Sequence, residues 1–187
     1  GNFYYDEADS ILYGEEPQDY AGYITSGVGD TNGDGYPEVL VSAPFHDTDL
    51  PAAGAVYLVQ GTIKGISQLS DSIIISGSET LSYSAMLSLG GVGGDINNDG
   101  FNEILIGALG EGNNGAVHVI YGPLEGNISI DDADAIFQGP SGAQAGFHNI
   151  IGDTNNDGFD DILIGAPYDS TNGEDAGAVY LILGGGM

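Results

Sequence analysis

The sequence predicts an all-β fold built from three copies of a four-stranded unit. Three observations carry that prediction. A nine-residue acidic stretch occurs three times, opening at Asp30, Asp95 and Asp153, so successive copies start 65 and 58 residues apart. Short Val/Ile/Leu/Tyr runs flank each stretch in the same order. The 33 glycines and seven prolines fall mostly between those runs, where they punctuate short strands with tight turns. No amphipathic helical stretch stands out.

The first run of each unit precedes the acidic loop and holds Ala21-Gly22, Ser84-Ala85 or Ala145-Gly146. The second follows the loop directly: Val39-Leu40-Val41-Ser42-Ala43-Pro44, Ile104-Leu105-Ile106-Gly107-Ala108-Leu109 and Ile162-Leu163-Ile164-Gly165-Ala166-Pro167. After a variable loop comes the third: Gly54-Ala55-Val56-Tyr57-Leu58-Val59, Gly115-Ala116-Val117-His118-Val119-Ile120 and Gly177-Ala178-Val179-Tyr180-Leu181-Ile182. The fourth reads Asp9-Ser10-Ile11-Leu12, Asp71-Ser72-Ile73-Ile74 and Asp134-Ala135-Ile136-Phe137.

Four short strands in about 60 residues match one β-propeller blade. The chain reads as a single repeat domain over 1–187, with blade units at 8–70, 71–133 and 134–187. It opens on a fourth-type run and stops after a third-type run, so the first unit's outer strand precedes its own inner strands. In a closed propeller such an offset lets one terminus complete a blade begun by the other. The outer strand of the last unit is expected from an N-terminal segment, that of another chain.

The charge balance bounds the partners. There are 28 acidic residues against one basic residue, Lys64, for a net charge of −27. Nucleic acid and anionic membranes require Lys or Arg to displace counterions, so neither is expected as a partner. A cation is. Cysteine is absent, which removes disulfides and thiolate metal sites. No apolar run reaches transmembrane length, so no membrane insertion is expected. Gly1 to Asp9 lack the basic and apolar regions of a signal peptide.

The acidic stretches explain themselves as cation loops. Two carboxylates about 4 Å apart repel by roughly 4 kcal/mol at an effective dielectric near 20. A dication converts that repulsion into attraction, and all-oxygen ligands select a hard ion. Calcium takes about six to eight oxygens, whereas magnesium keeps waters and demands stricter octahedral geometry. Calcium is therefore expected at three sites. The first uses the side chains of Asp30, Asn32, Asp34 and Glu38 with the carbonyl of Tyr36. The second uses Asp95, Asn97, Asp99, Glu103 and the carbonyl of Phe101. The third uses Asp153, Asn155, Asp157, Asp161 and the carbonyl of Phe159. Gly at the sixth place permits the sharp turn.

An EF-hand is excluded. It needs an acid at the twelfth place, where this chain has Val41, Ile106 and Ile164. Metal-free Asp/Asn/Gly turns compete as the reading of any single loop. Three copies in matched context favour metal.

With those residues in view, the chain resembles the FG-GAP repeats that build the β-propeller of integrin α-subunits. The likeness runs from about residue 9 to 184. Its most complete copy is Ala145-Gly146-Phe147, the loop from Asp153 to Asp161, then Ile164-Gly165-Ala166-Pro167 and Gly177-Ala178-Val179-Tyr180. Departures are Ala21-Gly22, Ser84-Ala85 and Ala145-Gly146 for the Phe-Gly pair, and Ser42-Ala43-Pro44 and Gly107-Ala108-Leu109 for Gly-Ala-Pro. The resemblance implies calcium between the first two strands of a blade.

Three blades do not close a ring. Sheets splayed by about 120° could not pack face to face at about 10 Å, and propellers generally have roughly four to eight blades. Either two copies pair into a six-bladed homodimer, or the chain belongs to a longer propeller. The offset phase favours the homodimer.

No catalytic constellation emerges from His46, His118 and His148. His118 fills the slot held by Tyr57 and Tyr180, which reads as packing. The chain is therefore read as a non-enzyme: an extracellular or cell-surface adhesion or protein-interaction scaffold, with calcium structural. The alternative is a calcium-dependent glycan-binding module or an accessory module of a secreted carbohydrate-active enzyme. Tyr4, Tyr5, Tyr13 and Tyr20 are its candidate stacking residues. Asn127-Ile128-Ser129 fits a glycosylation sequon.

Overall fold

Fourteen short strands and four single-turn 3-10 helices make up the described part of the chain, with no α-helix among the described residues. The computed structural model describes residues 4–47, 50–78, 84–89 and 93–186; the side chains of 6, 84–89 and 148–151 lie outside that description, His148 among them. The all-β expectation holds.

The first blade is an antiparallel sheet of β2 (Thr25–Gly29), β3 (Glu38–Ala43), β4 (Ala55–Val59) and β6 (Ile73–Ser76). The second holds β7 (Ser84–Leu89), β8 (Ile104–Ala108), β9 (Ala116–Ile120) and β11 (Ala135–Gln138). The third holds β12 (Phe147–Gly152), β13 (Asp161–Ala166) and β14 (Ala178–Ile182). The first two sheets thus take their outer strand from the run that follows their third strand. The sequence units cut the chain one strand out of phase with the sheets.

Three strands lie outside this scheme. β1 (Ser10–Tyr13) pairs in parallel with β5 (Gly65–Gln68), and β10 (Ile128–Ser129) pairs in parallel with β6. β5 and β10 each lead into a 3-10 turn that buries one apolar side chain, Leu69 or Ile130. They are equivalent links, one blade apart.

The register corrects one detail of the sequence alignment. Leu58 faces Ile73 in the first blade, and Val119 faces Ala135 in the second. Ile73 is therefore the counterpart of Ala135, not of Ile136. The fourth run of the middle unit is Ser72-Ile73-Ile74-Ile75, one residue later than apolar content alone suggests.

Side-chain alternation explains how the blades stack. Leu40, Val56 and Leu58 of the first blade meet Ile104, Ile106 and Ile120 of the second in one buried cluster. Leu105, Val117 and Val119 of the second meet Ile162, Ile164 and Ala166 of the third in another. Blade faces are close enough to require glycine between them. A Cβ on Gly93 would lie 1.5 Å from the carbonyl oxygen of Val28.

Candidate metal centre

The three acidic loops join the first and second strands of their blades. In the first and third blades the register slips just before the loop, between Gly27 and Gly29 and between Ile150 and Gly152. Gly29 and Gly152 have φ of 75° and 80°, backbone that glycine adopts without strain. This bulge turns the chain out of the sheet and into the loop.

Within the loops the geometry repeats. The fourth residue is left-handed each time: Gly33 at φ 78°, Asn98 at 60° and Asn156 at 63°. Asn tolerates that conformation better than other side chains, which explains the alternation of Gly and Asn there. The first acid is the hub. Asp30 accepts the N–H groups of Gly33 (2.6 Å) and Gly35 (2.9 Å). Asp95 accepts those of Asp99 (3.0 Å) and Gly100 (2.9 Å). Asp153 accepts those of Asp157 (3.0 Å) and Gly158 (2.8 Å). Partial burial raises the Asp30 carboxyl, but the N–H groups of Gly35, Gly33, Asn32 and Asp34 outweigh it and hold it below the usual range.

The remaining loop residues form shorter turns. Asp34, Asp99 and Asp157 each accept the N–H of the residue two places on, which is Tyr36, Phe101 or Phe159. Asn32, Asn97 and Asn155 accept the N–H of those same aspartates. A carboxylate offers about four acceptor positions, so these bonds leave lone pairs for a cation.

The ninth-place acids distinguish the loops. Glu38, Glu103 and Asp161 are all buried. Each gives one oxygen to the second loop residue. Thr31 donates its N–H and hydroxyl to Glu38, both at 2.8 Å, and Ile96 donates its N–H to Glu103 at 2.6 Å. Thr154 donates N–H and hydroxyl to Asp161. The second oxygen differs. That of Asp161 accepts the N–H of Gly184 (3.0 Å), and that of Glu38 accepts Asn32 Nδ2 (3.4 Å). Oε1 of Glu103 is buried with no hydrogen-bond partner.

The electrostatic consequences follow. Burial, opposed by the Ile96 N–H and reinforced by Asp95, Asp99 and Asp160, pushes the Glu103 carboxyl up to about 7. Asp161 moves the other way: the Thr154 hydroxyl outweighs burial, and the Gly184 and Thr154 N–H groups add to it. In the second loop, oxygens of Asp95, Asp99 and Glu103 lie within 4.8 Å of one another. An orphaned buried oxygen beside two carboxylates is the arrangement a hard dication satisfies. The donor set of the second loop fits such an ion best.

Two features escape a reading by motif. Successive loops are tied together: Asn102 N–H donates to the Asp30 carbonyl (3.0 Å), and Asp160 N–H donates to the Asp95 carbonyl (3.1 Å). The aromatic slot of each third strand also has a polar partner. Tyr57 donates its hydroxyl to Glu15 (2.8 Å), His118 Nε2 lies 2.6 Å from Glu111, and Tyr180 donates to Asp169. His118 is buried, as expected for a packing role. Glu111 and Asp169 lie three residues after Ala108 and Ala166; His46 holds that place after Ala43 and sits 2.7 Å from the buried Asp19. Extending the repeat alignment by three residues would have found Glu111 and Asp169, but not Glu15, which comes from before the first blade.

Comparison with known proteins gives this geometry its family. The FG-GAP repeat model matches residues 21–59, 89–120 and 150–182. This chain belongs to the FG-GAP repeat family. Each match encloses one acidic loop and the second and third strands of its blade, and reaches at least the end of the first. Among curated proteins, the FG-GAP chain is 35% identical to integrin alpha-PS3 of Drosophila melanogaster over 180 residues, covering 91% of this chain and 15% of that protein. It is 32% identical to integrin alpha-IIb of Mus musculus over 167 residues, covering 83% of this chain and 16% of that protein. The chain thus spans about one sixth of the length of these relatives. The described residues contain no helix long and apolar enough to cross a membrane.

Proposed function

We propose that this chain is a calcium-stabilised FG-GAP module that serves as an extracellular or cell-surface adhesion or protein-interaction scaffold. The orphaned Oε1 of Glu103, buried beside Asp95 and Asp99, carries the calcium reading. Residues 95–103 would hold the ion best, with the side chains of Asp95, Asn97, Asp99 and Glu103 and the carbonyl of Phe101. The corresponding ligands in 30–38 and 153–161 would hold one ion each. Calcium supplies positive charge to a chain of net charge −27 and pins the loops that space the blades. The role is structural, and no catalytic step is assigned to these acids. The interaction role rests on family membership and on the integrin α-subunits among the relatives.

A second reading is glycan binding. It is favoured by the exposure of Tyr4, Tyr5, Tyr13 and Tyr20, whose faces could stack on sugar rings.

Calcium titration by calorimetry tests the first reading. Up to three sites per chain, with magnesium binding far more weakly, is the expected result. No heat and no thermal shift at millimolar calcium would overturn it. A glycan array run with and without chelator tests the second reading.

A further inference from the structure

We infer that Asp160, in the acidic loop of the third blade, positions the hub acid of the second, so that a cation held by residues 153–161 tightens the cation site at 95–103. The inference rests on the calcium reading above and adds to it a coupling between blades. The contact is two-pronged. Asp160 donates its N–H to the Asp95 carbonyl (3.1 Å), and its Oδ2 accepts the Asp95 N–H (3.1 Å). Both backbone groups of Asp95 are thus held by one residue 65 positions away. Asp95 is the residue on which the second loop closes, since its carboxylate accepts the N–H groups of Asp99 and Gly100. One of its oxygens lies within 4.8 Å of oxygens of Asp99 and Glu103. The buried Oε1 of Glu103, without a hydrogen-bond partner, marks that cluster as a place for a ligand. Where Asp95 sits decides whether the three carboxylates converge. Asp160 also adds to the negative charge around Glu103, which favours a cation there although Asp160 is not one of its expected ligands.

The other end of the connection is covalent. Asp160 lies between Phe159, whose carbonyl is an expected ligand of the third loop, and Asp161, whose side chain is another. An ion in that loop fixes the chain on both sides of Asp160. That order reaches Asp95 through two hydrogen bonds, with no other side chain between. Ordering brought about by the first ion need not be repeated for the second, and linkage makes the effect reciprocal. Repulsion between the two ions works against it and is screened by salt over about 8 Å at physiological ionic strength.

The eighth place is where the three loops part. It holds Pro37, Asn102 and Asp160. Asn102 keeps the backbone tie, to the Asp30 carbonyl at 3.0 Å. Its amide lies against Gly29, where a Cβ would come 2.3 Å from Nδ2. Pro37 has no N–H to give. Among the described residues, the carboxylate clamp belongs to the junction between the second and third blades.

The test is a calcium titration of the whole isotope-labelled chain by NMR at physiological ionic strength. The sixth-place glycines report each loop separately, because the N–H groups of Gly35, Gly100 and Gly158 each donate to the hub acid of their own loop. Asp157→Asn removes a ligand charge from the third loop and keeps an acceptor for the Phe159 N–H. It is expected to raise the calcium midpoint read at Gly100 about fivefold or more, and to leave the midpoint at Gly35 within about twofold. By reciprocity, Asp99→Asn is expected to raise the Gly158 midpoint by the same factor as Asp157→Asn raises that of Gly100. Asp160→Pro removes both prongs and places there the residue the first loop already carries; in that background Asp157→Asn is expected to leave Gly100 unmoved. Asp160→Asn keeps an oxygen for the Asp95 N–H and is expected to preserve the coupling. If Asp160→Pro does not fold, Asp160→Ala is expected to shrink the coupling factor, and an unchanged factor overturns the inference. A Gly100 midpoint indifferent to Asp157→Asn in the parent chain, or a coupling that survives Asp160→Pro, also overturns it and leaves the calcium reading standing. Calcium-independent shifts at all three glycines overturn the calcium reading itself, and this inference with it.

Discussion

Asn102 donates its backbone N–H to the carbonyl oxygen of Asp30 at 3.0 Å, tying the eighth residue of one acidic loop to the first residue of the loop before it. Asp160 repeats the contact on Asp95 at 3.1 Å. The loops therefore form a ladder along one rim of the stacked blades. Disturbing one loop is felt at the next blade junction.

Chelation is accordingly expected to lower the stability of the whole described fold rather than of one loop. A ligand present at about 100 times its Kd stabilises the folded state by about 2.7 kcal/mol per site. Differential scanning calorimetry with calcium and with EDTA checks this. A single transition that moves as a unit is the expected form.

Glu103→Gln is expected to have opposite effects with and without the ion. Without calcium, the folded-state carboxyl titrates at about 7, above its ordinary value of 4.5. Between those values the folded chain binds more protons than the unfolded chain. Ion-free stability is therefore full below about 4.5 and falls as pH rises through about 7. The amide removes that charge, so the ion-free variant is expected to be more stable than the parent at pH 8. With calcium it is expected to be less stable and to show a weaker thermal shift. Urea unfolding at pH 5 and pH 8, with EDTA and with calcium, measures both arms.

The same proton competes with the ion. Calcium binding at pH 6.5 is expected to release protons from the second loop, and the release should vanish in Glu103→Gln. Calorimetry in two buffers of different ionisation enthalpy reads the proton count directly.

Gly93→Ala is expected to loosen the junction between the first two blades. Its Cβ would meet the Val28 carbonyl oxygen at 1.5 Å, and that oxygen is backbone that cannot swing aside. Overpacking of this kind costs about 1–3 kcal/mol and occasionally more. A lowered urea midpoint checks it.

Tyr57→Phe is expected to cost about 1 kcal/mol. The ring is fully buried and its hydroxyl donates to Glu15 at 2.8 Å. Phenylalanine keeps the packing and removes only the hydrogen bond. It leaves the Glu15 carboxylate without that donor, which the same unfolding experiment would detect.

Much of this was legible from residue order. The loops at 30, 95 and 153 could be found because their Asp, Asn and Gly residues recur at one fixed spacing, and that spacing is local. The strand runs around them were legible because short β-rich segments between glycines have few other folds. The difference between Glu103 and Asp161 was not legible. Both are ninth-place acids in near-identical loops, but a Gly184 N–H from the end of the chain reaches only Asp161. The slipped alignment of Ile73 with Ala135 was missed for a related reason. Three consecutive isoleucines give no alternation from which to read a register.

The sequence by itself determined the repeat, the strand types and the acidic loops, because each rests on contacts between residues close in the chain. Only the tertiary structure decided which strand closes which sheet and which buried carboxylate lacks a partner. Those depend on backbone groups brought together from distant positions, and a chain of repeats offers several equivalent partners that residue order does not tell apart.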